Sequence, residues 1–546
     1  MKGKQGGQVM ILIQRFVFLI FFTVFSSWQI KAAEFENFDA ALSALPKANF
    51  KSLPEILEGI AELDDQRVGS LFVHLSQGEV YFQKTNKRVF YIIDQADGTA
   101  IIIDASSGVA TQDLAKNKLS KVKTNNRIRS GITQLQAKLN LNHQNPDIRL
   151  SAAREMLADV TRISDKRLAE RQDKEDNSDV SELLALIAAL KEFRKEDNTA
   201  QLAALALLDS TLEPDVRQVL AAASQDETRY SPEVQTKIKA TLASIESQRN
   251  LYSYAENIFF GLSLGSVLLL AAIGLAITFG VMGVINMAHG EMMMLGAYTT
   301  YVIQNSFPNL IEYSLLMAIP AAFLVSGLVG VIIERSVIQF LKGRPLETLL
   351  ATFGVSLILQ QLVRTVFSPL NRQVIAPEWM SGSWQINPVF SVTFNRLYII
   401  IFSLAVFFML LIFLKKSALG LHVRAVAQNR DMARALSIRS NWVDAATFGL
   451  GSGIAGISGV VLSQLTNVGP NLGQAYIIDS FLVVVFGGVG NLWGTLVSAM
   501  TLGVLNKFLE PLTGPVMASI IVLVGLVFFI QKRPMGLFPQ KGRAVE

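Results

Sequence analysis

Two stretches of this 546-residue chain set polar and ionisable side chains between apolar runs. The first, GVINMAHGEMMMLGAY at 283–298, carries Asn286, His289 and Glu291 among Gly283, Gly290 and Gly296. The second, 465–495, carries Asn467, Asn471, Asp479 and Asn491 with many glycines and Pro470. Thr352 and Gln360 lie in a further apolar run. Polar side chains and unwound backbone are tolerated at membrane depth only inside protein or against water. The chemistry they offer is therefore the lining of a path for a polar solute. A plainer reading stands beside it: His289 and Glu291 cap a helix end, and the amides and hydroxyls bond helix to helix.

Other chemistries fall away. The chain has no Cys and four scattered His, so neither disulfides nor a metal centre is expected. No GxxxxGK[ST] phosphate loop occurs, so ATP is not expected to bind through one here. His74, Asp94, Asp104 and His143 stand in no catalytic spacing; Asp94 and Asp104 read as turn residues. The net charge of +5 does not imply nucleic acid, because most of it belongs to the apolar half.

The positioning elements divide in two. Residues 34–256 hold 28 Lys/Arg and 34 Asp/Glu, whereas 257–531 hold 13 and 9. A soluble half thus precedes a membrane half. Lys2, Lys4 and Arg15 before the apolar run Phe16–Phe25 predict a signal peptide over 1–33, an uncleaved anchor being the alternative. An exported domain would follow over 34–250. Within it, SLFVHL, EVYFQ, VFYIID and TAIIID predict a small β unit at 68–112. Residues 125–250 read as helices, with NPDIR, EPDVR and SPEVQ as capped, Pro-led helix starts resembling those of HEAT-type repeats. The charged run 162–179 reads as a solvated helix and loop.

The apolar runs predict spans near 257–282, 287–304, 315–335, 347–367, 396–414, 443–465, 477–490, 493–508 and 514–531. The fold class is an all-α polytopic membrane protein of eight or nine crossings, some broken, occupying 251–546. Basic residues near 335–344, 415–439 and 532–543 outnumber those on the other side 13 to 4. That places these loops in the cytoplasm and the first span's start outside, and an odd count favours nine.

The loop 416–442 predicts an amphipathic helix with Ala425, Asn429, Ala433 and Leu436 on one side. Such a small-faced basic helix fits a partner's groove; the alternative is a helix lying on anionic lipid.

GLSLGSVLLLAAIGLAITFGVMGVINMAHGEMMMLGAY resembles the opening of permeases of the branched-chain amino-acid ABC importer family. RAVAQNRDMARALSI resembles that family's coupling segment, with Ser437 where the family usually has Gly. Within the family the chain looks closest to the B-type urea permeases, on TLLATFGVSLILQQLVRTVFSPLNR, MSGSWQINP, SQLTNVGPNLGQAYIIDSFLVVVFGGVGNLWGT, NKFLEP and QKRPMGLFPQKGR.

The resemblance implies a non-catalytic membrane permease of the bacterial inner membrane, and the export signal with the charge asymmetry places 34–250 in the periplasm. It implies two ATP-binding subunits, a second permease and a periplasmic substrate-binding protein as partners, the ATP being used by those subunits and no cofactor held by this chain. It assigns Arg424, Ala425, Asn429, Ala433, Leu436 and Ser437 to the coupling helix. Urea would meet Thr352, Gln360, Asn467 and Asn471 on its way. Branched-chain amino acids or short amides are the alternative substrates. A stand-alone channel or ion-coupled carrier, and a membrane-anchored enzyme or sensor, are readings of other classes.

Overall fold

Helix starts in the first half follow their capping residues. In the computed structural model, the described residues run from 35 to 538, apart from 62, 64, 66, 95–99, 112–118, 210 and 227. The signal expected at 1–33 lies outside them. The chain forms two units, Met1–Ile245 and Glu246–Glu546.

The first unit opens with α1 (Phe38–Ala44), α2 (Leu53–Ala61) and α3 (Arg67–Gln77). SLFVHL therefore belongs to a helix, not to the expected strand. Val68, Leu71, Phe72 and Leu75 are buried at three- and four-residue steps, and that period decides the matter. Strands β1 (Val80–Gln83), β2 (Val89–Asp94), β3 (Ala100–Asp104) and β4 (Leu119–Lys121) form one antiparallel sheet in the order β3-β2-β1-β4. Val80 pairs with Tyr91, and Tyr91 with Ile103. The fourth strand lies beyond the expected β unit.

Helices follow: α4 (Asn126–Asn140), α5 (Pro146–Ala158), α6 (Asp165–Gln172), α7 (Ser178–Phe193), α8 (Asn198–Leu208) and α9 (Pro214–Gln225). The Asn145 side chain caps α5 by accepting from Asp147 N–H at 2.8 Å. Glu213 makes no such cap, so at α9 Pro214 alone marks the start. The charged run 162–179 is only partly solvated. Glu175 has no exposed side-chain area and is held by Arg149 at 2.7 Å and Arg171 at 2.6 Å. Burial raises the Glu175 carboxyl, but the Arg149, Asn177 N–H and Arg171 hydrogen bonds outweigh it and hold the pKa at about 2.

α10 (Pro232–Met282) contributes its first turns to this unit's core through Val234, Ile238 and Ile245, and its apolar remainder to the second unit. There α11 (His289–Ser306), α12 (Ser314–Ser336), α13 (Pro345–Phe367) and a small ribbon, β5 (Ser383–Gln385) with β6 (Ser391–Thr393), come next. They are followed by α14 (Phe394–Lys416), α15 (Ala418–Gln428), α16 (Arg430–Ala435), α17 (Ser440–Ser463), α18 (Leu472–Gly487), α19 (Leu492–Thr513) and α20 (Pro515–Lys532).

Each expected span coincides with a helix, but among the described residues seven helices, not eight or nine, are long and apolar enough to cross a membrane. α11 is excluded by its polar residues, and α18 has only 16.

α17 is the central helix, packed on α11 and α12. The approach is backbone to backbone: a Cβ on Gly296 would collide with Gly456, and one on Gly459 with the Met293 carbonyl. Small residues permit that contact, and dispersion then holds helices whose apolar surface gains nothing from leaving lipid. α13 is built inside out. Thr348, Thr352, Ser356 and Gln360 are buried, whereas Leu346, Leu350, Ile358 and Val366 are exposed.

Candidate functional site

α10 stops at Met282, and Gly283 turns the chain with φ +67°. Residues 283–286 are irregular and 287–288 form a turn. Yet His289 Nε2 lies 2.9 Å from the Ala271 carbonyl. Ala271 stands eleven residues, or about 16 Å, back along α10. Irregular backbone therefore climbs into the bundle beside α10, and α11 begins deep inside it. Asn286 Oδ1 accepts from Ala288 N–H at 3.0 Å, and Met287 N–H donates to Thr352 Oγ1 at 3.1 Å. These bonds hold an irregular stretch in which Val284, Asn286 and Ala288 are buried.

Glu291 sits in the first turn of α11, 1% exposed. Its Oε1 accepts from Ser356 Oγ at 2.9 Å and from Gln360 Nε2 at 2.8 Å. Its Oε2 is buried without a hydrogen-bond partner. The second interruption arrives at the same place: a Cβ on Gly290 would lie 2.6 Å from the Gly473 carbonyl. The N-termini of α11 and α18 thus meet at a glycine contact. Beside them Arg364 Nη2 donates to Asn471 Oδ1 at 2.8 Å. Two helix N-termini, a carboxylate and a guanidinium converge on the polar face of α13, an arrangement able to receive small polar groups.

The structure thus ties Glu291, Thr352, Gln360 and Asn471 along α13, with Asn286 next to Met287, whose N–H bonds Thr352. Ser356 and Arg364 join them, although sequence reasoning passed over both; the four-residue step from Thr348 to Gln360 was the available signal. The other expected residues stand apart. His289 turns to α10, and Asn467 is exposed. Asp479 lies two turns along α18. Asn491 is the N-cap of α19, accepting from Trp493 N–H at 3.1 Å and Gly494 N–H at 3.2 Å, and donating to the Phe538 carbonyl at 3.3 Å.

The 416–442 segment is not one helix. Asn429, at φ −151° and ψ 105°, breaks it and caps α16 by accepting from Met432 N–H at 2.9 Å. The expected face does not survive the break. Ala433 is 2% exposed and packs on Val423, Val426 and Val443 of this same chain; Ala425 is partly buried beside them. Leu421, Met432 and Leu436 are outward instead. Arg424 donates to the Leu414 carbonyl, tying α15 back to α14. Ser437 has φ +67°. It closes α16 through Ser437 N–H to Arg434 O and Ile438 N–H to Ala433 O, both 3.0 Å.

An ion-pair cluster anchors α16. Asp444, with no exposed side-chain area, accepts from Arg430 at 2.7 and 3.0 Å and from Lys342 at 2.7 Å. Lys342 also lies 3.2 Å from Glu334, and the neighbouring Arg335 stacks 4.3 Å over the Trp442 ring. The basic loops at 337–344 and 417–439 therefore share one end of the bundle. At the other, Arg372 and Val468 exchange backbone hydrogen bonds of 2.7 and 2.8 Å, and Gln304 Nε2 donates to the Ile375 carbonyl at 2.8 Å.

A family described as "Branched-chain amino acid transport system / permease component" matches residues 257–530. The high-affinity branched-chain amino acid transport system permease protein BraD of Pseudomonas aeruginosa is 28% identical over 298 residues, covering 53% of this chain and 96% of its own. The LivH protein of the same description from Escherichia coli is 29% identical over 308 residues, covering 53% and 97%. The ribose import permease protein RbsC of Escherichia coli is 26% identical over 264 residues, covering 46% and 78%. No solved structure matches.

Proposed function

This chain belongs to the family of branched-chain amino acid transport permease components, and from that premise we propose that it is the subunit through which an ABC importer carries urea into the cell. It is a multi-pass membrane permease and is not itself an enzyme. Its partners in this reading are two ATPase subunits, a second permease and a periplasmic binding protein. Residues 34–250, read as HEAT-like, lie in the periplasm and dock the binding protein or the second permease. Closure of the ATPase pair moves α15 and α16, and the Arg430–Asp444 link passes that motion to α17.

The observation that carries the substrate reading is the buried stripe Thr352, Ser356 and Gln360 on α13. Hydroxyls and an amide suit a neutral solute with several N–H donors and one carbonyl, and they spare it the counter-charges a zwitterion needs. A second reading, branched-chain amino acids, is favoured by the names of BraD and LivH and by the opposite charges of Glu291 and Arg364. Reconstitution with the partner subunits decides between them. ATP-dependent uptake of labelled urea, unaffected by excess leucine, is the expected result; uptake of leucine alone overturns it.

A further inference from the structure

A cavity of about 450 Å³ opens where α10, α14, α15 and the start of α19 meet. Ile277, Val281, Leu411, Leu414, Val423 and Leu492 give it apolar walls. Lys415, Arg424 and Trp493 line it as well, and no carboxylate does among the described residues. Arg424 donates to the Leu414 carbonyl and has no carboxylate partner among the described residues. Lys415 forms no ion pair among the described residues. The cavity adjoins the outer face of α14, where Phe408, Met409, Ile412 and Phe413 are exposed, and Trp493 stands 48% exposed beside it.

We propose that this cavity seats one anionic phospholipid of the adjoining leaflet. Its acyl portion enters along the apolar face of α14, and its phosphate rests between Lys415 and Arg424. An apolar chamber continuous with a lipid-facing helix selects an acyl chain. Two cations with no carboxylate partner among the described residues select an anionic headgroup, and an indole at that depth suits the headgroup layer. The lipid would fill the space between α15 and the bundle, bracing the segment that also carries the coupling residues.

Native mass spectrometry of the full-length chain in detergent tests this. Phosphatidylglycerol is expected to remain bound where phosphatidylcholine does not. Lys415→Gln and Arg424→Gln should each lower phosphatidylglycerol occupancy about fivefold. Ala427→Phe, which fills the cavity and keeps both cations, should lower it too. Lys532→Gln, a cation outside the cavity, should not. Lys415→Gln breaks no internal bond and so keeps the test open should Arg424→Gln misfold. Equal retention of the two lipids overturns the proposal, as does a loss with Lys532→Gln that matches Lys415→Gln. Displacement by inorganic phosphate alone identifies a free-anion site and overturns it equally.

Discussion

Arg430 and Asp444 face each other through two hydrogen bonds of 2.7 and 3.0 Å, and they tie the short helix α16 to the N-terminal part of the central helix α17. Asp444 also holds Lys342, so one buried carboxylate joins three segments. Asp444→Asn takes from Arg430 its carboxylate and leaves Lys342 with Glu334 alone, and should cost about 3 kcal/mol. The checks are thermal inactivation of the purified protein and ATP-dependent uptake, which should fall together. Uptake and stability equal to the parent's would remove the link from the mechanism.

Ser437 holds a left-handed conformation that glycine adopts without a Cβ penalty. Ser437→Gly should stabilise the protein by about 0.5–1 kcal/mol, and Ser437→Val should destabilise it by at least as much. A thermal shift series on the two variants measures both signs.

Gly459 leaves no room for a side chain against Met293. Gly459→Val should force α17 from α11 and abolish folded yield, since overpacking a rigid seam costs about 1–3 kcal/mol even where the backbone can yield. Size-exclusion chromatography of membrane extracts reports the outcome. A monodisperse peak at parental yield would contradict it.

Glu175 links acid sensitivity to the first unit. Its pKa is lowered from 4.5 to about 2, so its stabilisation is complete above 4.5 and drains away as pH falls toward 2. Pepsin cleavage near 165–177 should therefore accelerate through that window. Glu175→Gln should be readily cut across the whole range and lose the pH step.

Glu291→Gln separates the two substrate readings. Glutamine keeps an acceptor for Ser356 and Gln360 but removes the charge. If the solute is urea, uptake should stay within about tenfold of the parent, the scale of one altered hydrogen bond. If it is a zwitterion, uptake should collapse with the lost counter-charge.

Much of this was legible from residue order. The spans follow from long apolar runs punctuated by Gly, Pro and basic clusters, and both interruptions stand where polar residues enter such runs. What misled was local ambiguity. SLFVHL is short, apolar and β-branched in part, and only its buried positions reveal a helical period. The break at Asn429 carried a readable signal, an Asn with Asp431 two residues on, yet the alternation of small residues across it suggested one continuous face. The Lys342–Asp444 contact had no local trace, because its partners are 102 residues apart. The glycine contact between Gly290 and Gly473 was equally hidden: sequence marks each glycine but not its partner.

The seams that press α17 against α11 and α12 have a mechanical corollary. Where Gly296 meets Gly456 and Gly459 meets Met293, backbone touches backbone with no side chain as a cushion, so a shift of α17 there presses directly on α11. Its near end is gripped by Arg430, and its far end runs on into the residues that deliver Gly473 to Gly290. On the proposed mechanism, a push at one mouth of the bundle would be carried along α17 to the spot where two helix tips touch.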